Sequence, residues 1–203
     1  MFAGLPEAEL RRLSGTVVPV RLPAGHLVYD PEVTVVVAGT VRAFVADATG
    51  RQLTVSYLRP PDTLGLTRLA GRRYPTAFQS LADTWVLSVG DDTFTRLRAG
   101  HAGLGWAAAR EIGARLDEVE AELARVAFAD LRHRVAYHLL AMSGDGASPA
   151  PVPHAQLAFA VGSVREVIGR NLAQLRAEGL VEVGPAGAVV TDVEGLRRAT
   201  EAR

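Results

Sequence analysis

The stretch that most constrains this chain runs from Val152 to Val183, VPHAQLAFAVGSVREVIGRNLAQLRAEGLVEV. Its spacing predicts two short helices joined by a tight turn. Pro153 suits a first helical position, where its missing N–H is not needed. Leu157, Ala158 and Val161 form one apolar face, and Gly162 can end that helix in a left-handed conformation. Ser163 is placed to cap the second helix, with Glu166 three residues on in capping-box register. Val164, Ile168, Leu172 and Leu175 then recur at helical spacing, so one side of the second helix is expected in the core.

At ~3.6 residues per turn, Arg165, Glu166, Gly169, Arg170 and Ala173 share the opposite face. Arginine can pair bidentately with guanine O6 and N7, and glutamate can accept from cytosine N4. A helix-turn-helix places the N-terminal part of its second helix in the major groove, where these residues lie. A structural role is also open for Glu166, which could cap the helix and pair with Arg170 at i,i+4 on a solvated face.

GSVREVIGRNLAQLRAEGL resembles the recognition unit of the cyclic-AMP receptor protein (CRP/FNR) transcription factors, whose R-E-x-x-x-R signature falls on Arg165, Glu166 and Arg170. Val181 to Val190, with its Gly-Pro-Ala-Gly turn, resembles the family's wing hairpin. Phe128-Ala129-Asp130 resembles the hinge between its dimer helix and DNA-binding domain. The resemblance implies an α+β protein divided into a cyclic-nucleotide-binding-like β jelly roll over 1–100, a dimerisation helix over 101–127 and a winged helix-turn-helix over 128–203. It further implies a homodimer on double-stranded DNA, with Arg165, Glu166, Arg170, Ser163 and Gly169 at the DNA, half-sites like TGTGA, and RNA polymerase as a further partner.

Composition narrows the alternatives. At 203 residues the chain can hold two modest domains, and 48% hydrophobic with 22% charged residues describes a globular protein. No window is apolar for long enough to cross a bilayer and the start lacks a signal-type core, so a cytoplasmic protein is expected. Without cysteine, disulfides, thiolate zinc sites and cysteine-ligated iron–sulfur clusters are excluded. Every basic side chain is arginine and the formal net charge is zero. Neutrality predicts weak non-specific DNA binding and heavier reliance on base contacts.

The N-terminal half begins with an amphipathic helix over Leu5–Gly15. Short β-branched runs follow at Val17–Leu22, Val33–Val37, Thr40–Ala46, Gln52–Leu58 and Thr84–Val89, separated by turn residues. Such a pattern predicts a double-sheet jelly roll. The resemblance makes this an effector domain, with two departures. The turn after Tyr29 is shortened to Asp30-Pro31-Glu32, and the phosphate-binding cassette reads PPDTLGLTRLAGRRYPTAFQ. Leu66 stands where the family's ribose-binding glutamate would be, and Tyr74-Pro75 occupies the place of the arginine and hydroxyl. Arg72, Arg73 and Thr76 are the candidate substitutes in an effector pocket; a solvated arginine-bearing loop is the plainer reading. Cyclic AMP is therefore not expected to be required, and any other effector is left open.

The five histidines, His26, His101, His133, His138 and His154, show no pair at metal-ligand spacing within the strands. No nucleophile elbow or P-loop appears. Neither an enzyme nor a cofactor is expected, the alternative being a jelly-roll small-molecule-binding or metal-dependent enzyme with a C-terminal interaction module.

Between the halves, Gly103–Val126 is a helical run with a heptad seam. Ala109, Leu116 and Leu123 take one core position, and Gly105, Ile112, Val119 and Val126 the other. A parallel dimer through Ile112, Leu116, Val119, Leu123 and Val126 is expected, with Arg115 facing Glu120 of the second copy. Packing of this stripe on its own jelly roll is the competing reading. Asp130 should cap a following helix whose Leu131, Val135 and Leu139 face inward.

Overall fold

A computed structural model describes residues 2–71, 75–144 and 151–200. They form two compact units, Met1–Ala43 with Val55–Val119, and Phe44–Thr54 with Glu120–Arg203.

The first unit is built on strands β1 (Val18–Leu22), β2 (Leu27–Tyr29), β3 (Val33–Ala38), β4 (Val41–Ala46), β5 (Gln52–Leu58), β6 (Thr63–Leu64), β7 (Ala77–Ser80) and β8 (Thr84–Val89). They make two four-stranded sheets, ordered β1-β8-β3-β6 and β2-β7-β4-β5. This is the expected jelly roll. Five strands match the sequence reading, while β2, β6 and β7 were not foreseen. β3 and β8 pair antiparallel, Val33 opposite Val89, with an irregularity between Val36 and Ala38.

The inward positions carry Val33, Val36, Val41, Leu58 and Val86, all buried. Arg42 is also buried; its Nε donates to Gln79 Oε1 at 2.9 Å, and desolvation lowers its pKa to about 10. Gly65 sits at a φ of 77° against the shortened turn, where a β-carbon would collide with the carbonyls of Pro31 and Glu32. Only glycine meets both demands.

Helix α1 (Glu7–Ser14) has acids in its first turn and arginines in its last, matching the helix dipole, and buries Leu13. Helix α2 (Asp91–Gly100) buries Phe94 and Leu97. Helix α3 (Ala102–Phe128) runs unbroken for 27 residues. At its start Leu104 and Ala108, rather than Gly105 and Ala109, join the core of the first unit.

The second unit contains α4 (Leu131–Met142), α5 (His154–Val161), α6 (Arg165–Ala177), the hairpin β9 (Val181–Gly184) and β10 (Gly187–Val190), and α7 (Val193–Ala199). Asp130 caps α4 as expected, accepting from the His133 N–H at 2.7 Å. Val135, Leu139, Leu157, Ile168, Leu172, Leu175 and Leu196 form one core with no exposed surface. A residue outside the hairpin joins it: the Val152 N–H donates to the Ala188 carbonyl at 2.8 Å, and the Ala188 N–H donates back at 2.9 Å. Among the described residues no helix is long and apolar enough to cross a membrane.

Candidate nucleic-acid interface and effector cavity

The turn between α5 and α6 is set by Gly162, at φ 64° and ψ 36°, the left-handed stop its position predicted. Leu157, Ala158 and Val161 on α5, and Ile168, Leu172 and Leu175 on α6, are buried. The start of α6 differs from the sequence reading by one residue. Its N-cap is Val164, in extended conformation, and no side chain caps the helix; Ser163 lies in the turn, its N–H donating to the Ala158 carbonyl at 2.9 Å. Val164 therefore leaves the apolar stripe and is 61% exposed. An N-cap residue has non-helical dihedrals, so helical periodicity does not extend to it.

Arg165, Glu166, Arg170 and Ala173 lie exposed on α6 opposite the core, with Gly169 half-exposed among them. Among the described residues Glu166 and Arg170 form no ion pair, and Glu166 does not complete a capping box. Neighbouring charges are engaged instead. Arg132 pairs with Glu178 at 2.5 Å, and Asn171 Nδ2 donates to the Val167 carbonyl at 2.8 Å. The β9–β10 hairpin closes with Gly184 opposite Gly187, placing Pro185 and Ala186 at its tip as the wing-like pattern implied.

Beneath this surface lies a charged network that sequence reasoning missed. Glu122 and His138 are 3% and 1% exposed, with His138 Nε2 3.2 Å from Glu122 Oε1. Arg125 Nε donates to Glu122 Oε2 at 2.8 Å, and its guanidinium lies 3.7 Å over the Tyr137 ring, a cation–π contact. Arg134 donates to the Val161 carbonyl from the other side. Burial pushes the Glu122 carboxyl upward, but His138 and Arg125 hold it below its ordinary range. Burial lowers His138; the Glu122 hydrogen bond and charge oppose this only in part, and Arg125 and Arg134 add to it. The network thus holds an ionised carboxylate against a neutral imidazole. The i,i+3 spacing of Glu122 and Arg125 was its one visible trace.

Along α3, Ile112, Leu116, Val119, Leu123 and Val126 are all exposed, Leu116 by 56% and Leu123 by 66%. The stripe is thus not fully covered within this chain. Arg115 has partners within its own chain. Its NH1 donates to Ser56 Oγ at 3.2 Å and to Glu118 at 2.6 Å, and its NH2 lies 3.7 Å from Asp62. These contacts engage Arg115 within its own chain.

The jelly roll encloses a cavity of about 300 Å³. Leu58, Leu64, Leu66 and Phe78 line it on the sheet side, and Ile112, Leu116 and Val119 of α3 on the other. Leu66 is buried. Two lining cations were not foreseen. Arg68 is 3.1 Å from Asp30 and 2.6 Å from Asp91, contacts that raise its pKa, with the Asp91 hydrogen bond the largest cause. Arg115 is the second. Thr76 lines the cavity, whereas Arg72 and Arg73 lie outside the described residues. Thr63, buried, also lines it, and its hydroxyl has no hydrogen-bond partner among the described residues.

Comparison with known proteins adds to this geometry. Residues 133–199 match the Crp-like helix-turn-helix domain. The chain is 31% identical over 153 residues to the cyclic AMP receptor protein of Thermus thermophilus, an alignment covering 74% of this chain and 70% of that protein. A transcriptional regulator of the CRP/FNR family from Eubacterium rectale has the same fold, with a TM-score of 0.83 at 20% identity over 98% of this chain and 96% of that one. A second, from Thermus thermophilus, gives 0.75 at 25% identity, over 92% of this chain and 100% of the other. With a jelly roll, a long helix and a winged helix-turn-helix in the same order, this chain belongs to the CRP/FNR family of DNA-binding transcriptional regulators.

Proposed function

We propose that this regulator acts as a homodimer that reads a near-palindromic duplex through Arg165, Glu166 and Arg170, and that it does so without cyclic AMP. The observation that carries the reading is the outer face of α6. Three charged side chains stand exposed there without an ion pair among the described residues, on a helix whose other face is locked into the core. Arg165 and Arg170 fit guanines, and Glu166 fits a cytosine, as in TGTGA-like half-sites. Gly169 lets the helix approach the groove closely, and Ser163 in the turn is at hand for a backbone phosphate.

The five exposed apolar residues of α3 support the dimer. A parallel second helix would cover them, at roughly 1.5–3 kcal/mol for each side chain fully buried. Two recognition helices related by a two-fold axis then address half-sites about one helical turn, ~34 Å, apart. Independence from cyclic AMP is supported by Leu66, which offers the ribose hydroxyl no acceptor, and by Arg68, whose charge is committed to Asp30 and Asp91. An unpaired buried hydroxyl costs roughly 1–3 kcal/mol.

Selection from a random duplex pool, run with and without cyclic AMP, tests this together with sedimentation. A symmetric motif is expected in both pools, from a protein that sediments as a dimer. Leu116→Glu with Val119→Glu should abolish the dimer and DNA retention, because unpaired charge would be buried in the seam. A monomer at micromolar concentration, an asymmetric motif, or DNA retention that requires cyclic AMP would each refute the corresponding part.

A further inference from the structure

The cavity that the family resemblance would give to a cyclic nucleotide has a lining suited to different chemistry. Leu58, Leu64, Leu66, Phe78, Ile112 and Leu116 make its walls apolar. A sugar–phosphate would leave hydroxyls and charge facing these side chains, and polar groups buried without partners are costly. The cationic groups described in the lining already have partners. Arg68 is held between Asp30 and Asp91, and Arg115 among Ser56, Glu118 and Asp62. Recruiting either for a phosphate would break an existing ion pair and expose its carboxylates to the ligand's own negative charge.

Two lining oxygens are buried without a hydrogen bond among the described residues: Glu111 Oε1, on a carboxyl that has other interactions, and Thr63 Oγ1. Thr63, on the two-residue strand β6, is 4% exposed, and its Oγ1 has no hydrogen-bond partner among the described residues. Most buried hydroxyls find a partner, and one that does not calls for an explanation. A threonine hydroxyl can both donate and accept, so an alcohol, phenol or ketone oxygen would satisfy it. Apolar walls with a few placed polar groups are the usual make-up of a small-molecule site, and about 300 Å³ is at the small end of the range for one.

We infer that the jelly-roll cavity takes an uncharged, largely apolar small molecule bearing one hydrogen-bonding oxygen, which Thr63 engages. The proposal rests on the regulator reading above and supplies the effector class it leaves open. Ile112, Leu116 and Val119 are at once cavity wall and proposed dimer seam, so a ligand seated against them alters how the seam packs.

The full chain is titrated by calorimetry with 2-naphthol, 1-decanol and cyclic AMP, and DNA retention by the same preparation is scored separately. At least one of the two alcohols should bind with a dissociation constant of tens of micromolar or tighter, and cyclic AMP should not. Thr63→Val keeps the shape and removes the hydroxyl, and should weaken alcohol binding about five- to tenfold. Ala43→Leu, which fills the cavity from β4, should abolish it, and serves if Thr63→Val fails to fold. No binding of either alcohol up to its solubility limit overturns the proposal. So does alcohol binding unchanged in both variants, or micromolar binding of cyclic AMP. A protein that retains symmetric DNA sites but binds neither alcohol loses only the ligand class; one that binds an alcohol but no DNA loses only the regulator reading.

Discussion

Two groups of polar and charged side chains in the second unit are handled in opposite ways. On α6, Arg165, Glu166 and Arg170 stand in solvent with no ion pair among the described residues. A short distance along the sequence, Glu122 and His138 are taken out of water, and the Glu122 carboxylate binds both His138 and the part-exposed Arg125. Desolvation explains the contrast. A charge in water costs nothing to leave unpaired, so it remains available to an outside partner. A buried charge must be matched inside the fold, and once matched it is unavailable. The exposed set therefore bears on recognition and the buried set on stability, and substitutions should separate the two.

The largest effect is expected from the buried set. Glu122→Gln removes the buried negative charge that Arg125 and His138 share and replaces two carboxylate oxygens with one amide acceptor. Breaking a buried pair in this way costs about 3–5 kcal/mol. Thermal unfolding should show a large drop in Tm, while any protein that remains folded should keep its preference among DNA sequences. A loss of sequence preference at unchanged Tm would reverse the assignment of the two sets.

Arg165→Ala should behave in the opposite manner. Its Tm should stay within the scatter of surface substitutions, about ±0.5 kcal/mol. Affinity for the selected site should fall by roughly 1–3 kcal/mol, with discrimination relaxed at one base pair rather than weakened across all sequences. Competition with single-base variants of the site reads this directly, and a uniform loss over all variants would make Arg165 a phosphate contact.

The smallest effect is a pH dependence. His138 has a folded pKa below its ordinary value near 6.5, because burial disfavours the charged ring. The unfolded chain thus binds the proton more readily. The contribution is fully present above about pH 6.5 and declines as pH falls from there towards the folded value, by at most about 1.4 kcal/mol per pH unit. Glu122, held low, acts in the same direction but only in the more acidic range of carboxylates. Groups facing His138 include Glu122, Arg125, Arg134 and Tyr137. Tm measured from pH 7.5 to 5.5 should fall for the wild type and fall less for His138→Gln; parallel curves would remove His138 from the account.

How much of this was legible in the sequence varies with the range over which each feature is determined. The helix-turn-helix is local: four apolar residues at helical spacing and Gly162 suffice, and the core residues of α6 came out right except at its first position. There, Ser163 looked the better cap by residue type, yet the chain enters the helix one residue later and leaves Val164 uncapped. Strands β2, β6 and β7 span three, two and four residues, too short for an alternating pattern to register. The cavity depends on both sheets and α3 at once, so nothing near Thr63 in the sequence marks its hydroxyl as facing inward. Leu66 was readable only as a departure from a resembled motif, which said what was missing and not what replaced it.

The Glu122–His138 contact also has a consequence for how this sequence can drift. The two residues are 16 positions apart, on different helices, and each meets the other's polar atoms in the core, with Arg125 on the second carboxylate oxygen. A single replacement strands a buried polar partner, whereas exchanging the set, Arg125 included, for apolar residues of similar volume can be nearly neutral. Substitution paths between the two solutions therefore pass through a valley several kcal/mol deep. Related chains should either keep the pair or lose both members together, and that covariation would be visible in an alignment without a structure.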